Sequence, residues 1–244
     1  SWDEYRNSIW HRVGYVNWGY EAIGRFDSWE QIANYPVDND RKGNRTVVPG
    51  DIMYKDQNND GVINYLDERP IGYRVDSTPT LNFGINLSAS WKGFDLAMDW
   101  TGSGMTSWNQ CYETARPFQN DGNSPDEVLK DAWHLSDIWD ANSPLIPGKY
   151  PMVRLNTDET SAYDKSSYWL HNVTYLKLRN LEVGYTFPKT WLNRTGISNL
   201  RLFVSGTNLL TLSNLSVMDP ECASDNGLDY PPMRVINIGV NLKF

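Results

Sequence analysis

Residues 56–68 read DQNNDGVINYLDE, and oxygen-bearing side chains recur through them at a regular spacing. Counted from Asp56, oxygen donors stand first, third and fifth as Asp56, Asn58 and Asp60. Gly61 is sixth, where the chain must turn sharply, and Val62 is seventh, where a backbone carbonyl is offered. Ile63 is the apolar anchor at the eighth position, Asn64 stands ninth and Asp67 twelfth, with Glu68 beside it. Hard oxygens at this spacing wrap a calcium ion. Asp56, Asn58, Asp60, Val62, Asn64 and Asp67 are therefore the expected ligands of a calcium ion. An aspartate in the closing position is shorter than the usual glutamate, and Asn-Asp-Gly runs also make turns that bind nothing. The flanks define the kind of site. PGDIMYK before the loop is strand-like, and ERPIGYRVDSTP after it is broken by prolines. A calcium switch needs amphipathic helices on both sides, so the loop is expected to be a structural brace.

Other chemistry is sparse. His11, His134 and His171 have no motif partner, and there is neither a G-x-S-x-G elbow nor a phosphate loop. No pair of carboxylates is singled out for glycoside cleavage, and the chain is expected not to be an enzyme. Cys111 and Cys222 could form one disulfide in an oxidising compartment or stand as two separate thiols. No Cys/His cluster argues for zinc.

The elements that must carry these residues are strands. LNFGINLSASW at 81–91 puts Leu81, Phe83, Ile85, Leu87, Ala89 and Trp91 on one face, and Asn, Gly and Ser on the other. Lys92–Gly93 supplies a tight turn, and FDLAMDWTG continues the alternation from Phe94, which predicts a hairpin. RVINIGVNLKF at the end alternates in the same way. In YLKLRNLEVGYTF at 175–187, Leu176 and Leu178 have the opposite parity to Leu181 and Val183, so a bulge is expected near Arg179 and Asn180. LRLFVSGTNLL at 200–210 alternates less cleanly, and PKTWLNRTGISN before it predicts a short helical turn. Inside the long stretch 102–174, SPDEVLKDAWHL predicts a helix with Ser124 as N-cap, Pro125 at the first helical position and His134 within it. Connections alternate between short and long, as in outer-membrane barrels.

Composition narrows the class. Net charge is −8 and the sequence pI about 4.9, which gives no basic surface for phosphates and excludes nucleic acid as a partner. Aromatic residues make up 13% of the chain, a surplus that suits a sugar-binding surface or the aromatic girdles of a membrane barrel. No apolar run is long enough for a membrane helix. SWDEYRNSIW lacks the basic start and apolar core of a secretion signal, so the chain is either cytosolic or preceded by more sequence. Alternation alone leaves two architectures open: a secreted β-sandwich that binds carbohydrate and holds a structural calcium, and a membrane barrel.

Several blocks together resemble one family. VPGDIMYKDQNNDGVINYLDERPIGYRVDSTPTLNFGINLSASWKGFDLAMDWTG is similar to the C-terminal part of SusC/RagA-type TonB-dependent outer-membrane transporters of Bacteroidota. The carrying motifs are Pro49–Ile52, the loop from Asp56, Ile71–Gly72, Pro79 to Gly84, and Lys92–Leu96. YLKLRNLEVGYTFPK, LRLFVSGTNLLTLSN and YPPMRVINIGVNLKF match further blocks, GYEAIGRFDSWEQIANYP more loosely, and 102–165 least.

The resemblance implies an all-β fold: the C-terminal part of an antiparallel transmembrane β-barrel with long extracellular loops and a short loop helix. Residues 1–80 would be an extracellular loop region holding the calcium loop 56–67, and 81–244 the strands and loops of the barrel. Asn237, Gly239, Leu242 and Phe244 resemble the terminal signal read by the barrel-assembly machinery. Five strands cannot close a barrel, since the smallest have about eight, so the chain would be one section of a longer protein. The family further implies import of glycans or peptides, energy supplied by the TonB complex through upstream parts, a SusD-like lipoprotein partner and contact with outer-membrane lipid. Trp108, Tyr112, Trp133 and Trp139 of the long loop are the expected substrate contacts, because aromatic faces stack on sugars.

Overall fold

The computed structural model describes every residue except 1–7, 9, 74–77, 156–158, 194–195, 217, 222–225, 228 and 231. In chain order the elements are β1 (Asn17–Gly19), β2 (Ala22–Arg25), α1 (Trp29–Ala33), β3 (Ile52–Tyr54), β4 (Arg69–Gly72), β5 (Leu81–Trp91), β6 (Phe94–Asn109), α2 (Asp126–Lys130), β7 (His134–Leu135), β8 (Leu145–Ile146), β9 (Leu170–Thr186), α3 (Lys189–Leu192), β10 (Asn199–Ser213) and β11 (Val235–Lys243). They fall into two compact units. One holds residues 1–78, 107–172 and 223–229, the other 79–106, 173–222 and 230–244.

The second unit is built on an antiparallel five-stranded sheet in the order β11-β10-β9-β6-β5. Lys92 and Gly93 both adopt positive φ, 48° and 88°, so the two-residue turn matches the strand twist and sets the register from Trp91↔Phe94 onward. That register places Leu81, Phe83, Ile85 and Leu87 opposite Gly104, Gly102, Trp100 and Met98 on one face. Asn82, Asn86 and Ser90 stand opposite Ser103, Asp99 and Asp95 on the other. The same division crosses to β10 and β11, where Leu202 pairs Val240 and Val204 pairs Ile238, while Ser205 pairs Asn237. The expected bulge is present. Thr207↔Asn180 is followed by Leu210↔Leu178, so Asn208 and Leu209 together oppose Arg179. Asn208 takes φ 53° there, so the extra residue lies on β10, and beyond it Leu178 and Leu176 pair with Leu210 and Leu212.

Strands run further than alternation predicts. β6 continues to Asn109 and β9 starts at Leu170. Gly102, Gly104 and Met105 (φ 55°) interrupt the pattern that would have revealed the end of β6. Trp108 therefore lies in a strand and not in a loop.

The first unit has its own core of Tyr20, Ile52, Tyr54, Ile63, Val128, Tyr150, Tyr163 and Trp169 among others, with a smaller cluster around Phe26, Ile32 and Val47. Val128, Tyr150 and Trp169 come from the long connection, so residues 1–80 do not form a compact unit by themselves. α2 is shorter than the sequence predicts. Pro125 is its N-cap, no side chain caps it, and His134 lies in β7. Ser124 Oγ is buried and does not reach the helix N-terminus.

Candidate metal loop and polar sheet face

β3 delivers the chain to the loop, and Ile63 pins it from the other side, fully buried in the core as the eighth-position anchor requires. The backbone N–H of Ile63 donates to the carbonyl of Asp38 at 3.0 Å, and that of Asp38 to the carbonyl of Gly61 at 2.8 Å. Between these pins Asn59 and Gly61 take φ 60° and 83°, a reversal that glycine makes without a Cβ penalty. The Asp56 carboxylate accepts the N–H groups of Asn59 (2.6 Å) and Gly61 (2.8 Å). Asp67 accepts those of Gln57 (2.7 Å) and Asn64 (2.9 Å). The Asp60 carboxylate accepts the N–H of Val62 at 2.9 Å.

The result is convergence: a carboxylate oxygen from each of Asp56, Asp60 and Asp67 lies within 4.8 Å of the others. Burial raises the Asp67 carboxyl above its usual range, and the charges of Asp56 and Asp60 push it the same way. Hydrogen bonds from Val62 and Asn58 pull Asp60 down. Three hard anionic donors, mutually repelling, fit a divalent cation of the calcium kind.

The rest of the expected ligand set is engaged otherwise. The side-chain amides of Asn58 and Asn64 donate to Asp60 at 2.8 and 3.3 Å, and Asn64 also donates to the Val62 carbonyl at 3.1 Å. Their oxygens accept the N–H groups of Asp60 and Leu66. Asn64 thereby caps the short 3-10 turn Tyr65–Asp67. The structure brings together the three carboxylates of the predicted set, while Asn58, Val62 and Asn64 shape the loop around them.

The four aromatic candidates separate. Tyr112 is half exposed, and Trp139 is 90% exposed in the connection between β7 and β8. Trp108 is buried and stacks on His171 with centroids 5.8 Å apart. Trp133 is buried against Gly50, where an added Cβ would come within 2.5 Å of the indole. Both rings are buried in packing contacts of the first unit.

The polar face of the five-stranded sheet holds charge that the motif reading passed over. Arg201 on β10 is ion-paired with Asp95 on β6 and, at 2.6 Å, with Glu182 on β9. Lys177, 1% exposed, contacts Asp219 at 2.8 Å and Glu221 at 2.9 Å. Arg179 pairs with Glu221 and donates to Thr101 Oγ1 at 2.9 Å. The signal was available in the strand parity, since Asp95, Asp99, Glu182 and Arg201 occupy polar-face positions. Asn237 and Gly239 share that face, and Gly239 lies under the Phe203 ring, whose Cζ would be 2.2 Å from an added Cβ. Leu242 faces the apolar side, and Phe244 is exposed beyond the last pair.

No family model matches the chain. Curated relatives do. TonB-dependent receptor P3 of Formosa agariphila is 30% identical over 92% of this chain. TonB-dependent receptor SusC of Bacteroides thetaiotaomicron is 24% identical over 96% of it. Among solved structures, the RagAB peptide transporter matches 95% of the chain with a TM-score of 0.59 at 21% identity. The RagAB peptide importer in its closed-closed state also matches 95%, with a TM-score of 0.60 at 20% identity. This chain spans about a fifth of each partner, from 20% of SusC to 23% of the RagAB chains. The relatives are receptors and transporters, not enzymes. An apolar-and-polar antiparallel sheet, relatives named as TonB-dependent receptors over nearly the whole of this chain and a fold shared with RagAB converge: the chain is similar over more than nine-tenths of its length to a section of the SusC/RagA-type TonB-dependent receptors, and its five-stranded sheet shares the fold of the matching section of RagAB.

Proposed function

We propose that this chain supplies the C-terminal barrel wall, lumen lining and extracellular loops of a TonB-dependent outer-membrane importer of glycans or peptides. The carrying observation is the division of the sheet into two faces. Phe83, Ile85, Leu87, Val183, Val204 and Ile238 are all exposed on the apolar face, where lipid would cover them. On the opposite face lie the ion pairs of Arg201 and Arg179, as suits a watery lumen. A soluble sandwich would cover the apolar face with a second sheet, and among the described residues no other sheet has more than two strands.

In this reading the short connections at 92–93 and 187–198 face the periplasm and the calcium loop is extracellular. A SusD-like lipoprotein closes the extracellular mouth, and the TonB complex energises import through parts of the protein outside this chain. Asn237, Gly239, Leu242 and Phe244 serve the barrel-assembly machinery. Calcium at Asp56, Asp60 and Asp67 braces the outward loop, and the exposed rings of Tyr112 and Trp139 are the aromatic contacts left for substrate.

Fractionation and uptake test the importer reading. The intact protein should need detergent, sit in the outer-membrane fraction and support uptake of a glycan or peptide that stops in cells lacking TonB. A soluble, detergent-independent protein would overturn it.

A further inference from the structure

A cavity of about 470 Å³ opens on the second unit beside Asn82, Gly84, Thr101, Ser103, Tyr175 and Arg179. Thr101 accepts from Arg179 Nε, which orients the guanidinium, and Arg179 Nη2 holds a carboxylate oxygen of Glu221. Glu221 belongs to the segment after β10. Its other carboxylate oxygen takes Lys177 Nζ at 2.9 Å, and the same ammonium holds Asp219 at 2.8 Å. Two cations from β9 thus bind two carboxylates from one short segment.

The two cations are not equivalent. The Lys177 side chain is 1% exposed and that of Arg179 36%. Breaking the Lys177–Asp219 pair would strand a buried charge, so it is the fixed anchor. Arg179 lies at the cavity, and its planar fork suits a carboxylate in two-point contact.

We propose that Arg179 is a subsite for ligands bearing a carboxylate, and that Glu221 is its resident occupant, displaced when such a ligand enters. The exchange breaks one ion pair and makes another, so no cation is left without an anion. The rest of the cavity is polar: Ser103 Oγ donates to Asn82 Oδ1, and the Tyr175 phenol is hydrogen-bonded to Ser103 and Glu221, so the uncharged part of a ligand would exchange with bonds these groups already make. The cavity's volume lies within the range of small-molecule binding sites, about 300–1,000 Å³. The substrate class this selects within the importer reading, on which it rests because it takes the polar face as lumen, is an acidic glycan or the carboxyl end of a peptide.

The test is direct binding by calorimetry to the full-length protein in detergent. Digalacturonate is compared with its neutral counterpart digalactose, and trialanine with its C-terminal amide. In at least one pair the acid should bind about tenfold more tightly, equivalent to a single good charge-assisted contact. Preference in the sugar pair assigns an acidic glycan, and preference in the peptide pair a peptide carboxyl end. Arg179→Gln should erase the preference, and Arg179→Lys should restore part of it, since charge returns without the fork. Glu221→Gln, which leaves Arg179 in place, should strengthen acid binding about threefold by weakening the internal competitor. Equal affinity within both pairs, no binding of either acid, a preference that survives Arg179→Gln, or an unchanged affinity in Glu221→Gln would overturn the proposal. Failure of the importer reading shows elsewhere, in fractionation or in uptake that persists without TonB.

Discussion

Asp40 and Asp67 are both buried carboxylates, and their surroundings drive them in opposite directions. For Asp40 the burial cost is outweighed by donors: the N–H and hydroxyl of Thr46, both at 2.7 Å, and the N–H groups of Lys42 and Asn44, both at 2.8 Å, bring it down to about 2. A depressed carboxyl contributes stability above its unfolded value of about 3.9 and loses it as pH falls through the folded value. Acid unfolding of the first unit should therefore steepen between about pH 4 and about pH 2, and Asp40→Ala should remove that component. The same variant should cost about 1–3 kcal/mol near neutrality, because four donors lose their acceptor. Hydrogen exchange of the Lys42, Asn44 and Thr46 amides against pH checks both.

Asp67 carries the opposite sign. Burial, then Asp56 and Asp60, raise it, so stability from this group is present at low pH and lost as pH rises from the unfolded value through the folded one. A bound cation would cancel that loss. The parent protein should therefore melt higher in calcium than in chelator, by about 2.7 kcal/mol of added stability at calcium a hundredfold above its dissociation constant. Asp56→Ala with Asp60→Ala should melt alike in both. A parent indifferent to chelator would reject the site. The carboxylate spacing was legible from sequence because ligand positions in such a loop are fixed along the chain. The orientation of the Asn58 and Asn64 amides was not, since it depends on which partner each end finds in three dimensions.

At the scale of elements, strands were readable wherever one face is apolar and the other polar, because a period of two survives in sequence whatever the strand packs on. Their ends were not. β6 passes through Gly102, Gly104 and Met105 without alternating, and Trp108 and Trp133 looked like loop aromatics because burial within the first unit leaves no local mark. Gly239 shows what register adds. Its place beneath the Phe203 ring gives it a packing role that the terminal pattern alone did not reveal. Gly239→Val should lower the assembled fraction, and pairing it with Phe203→Ala should recover most of it by making room. A double variant as poor as the single one would leave the glycine to recognition by the assembly machinery. The bulge gives a second handle. Asn208 sits at φ 53°, which a β-branched residue resists, so Asn208→Val should cost about 1–2 kcal/mol while Asn208→Gly is tolerated. Urea unfolding of the two variants side by side reads that difference.

For the whole molecule, the question is what covers the apolar face of the sheet. Val204 and Ser205 are neighbours near the middle of β10 and point to opposite sides. Val204 stands between Val183 and Ile238, and Ser205 between Glu182 and Asn237. A lysine at either position adds the same charge to the same strand, so any difference reports the surrounding medium. In a bilayer, Val204→Lys should destabilise the assembled protein by about 2–4 kcal/mol, because the ammonium meets hydrocarbon near the midplane. Ser205→Lys should cost little, since it meets water and the carboxylate of Glu182. The folded fraction resisting dissociation in SDS, followed against temperature, separates the two. If both lysines were tolerated equally, the face at Val204 would not be lipid-covered and the barrel-wall assignment of the sheet would fail. If Ser205→Lys were the more damaging, the two faces would be exchanged, and the ion pairs of Arg179 and Arg201 would have to find their counter-charges outside a lumen.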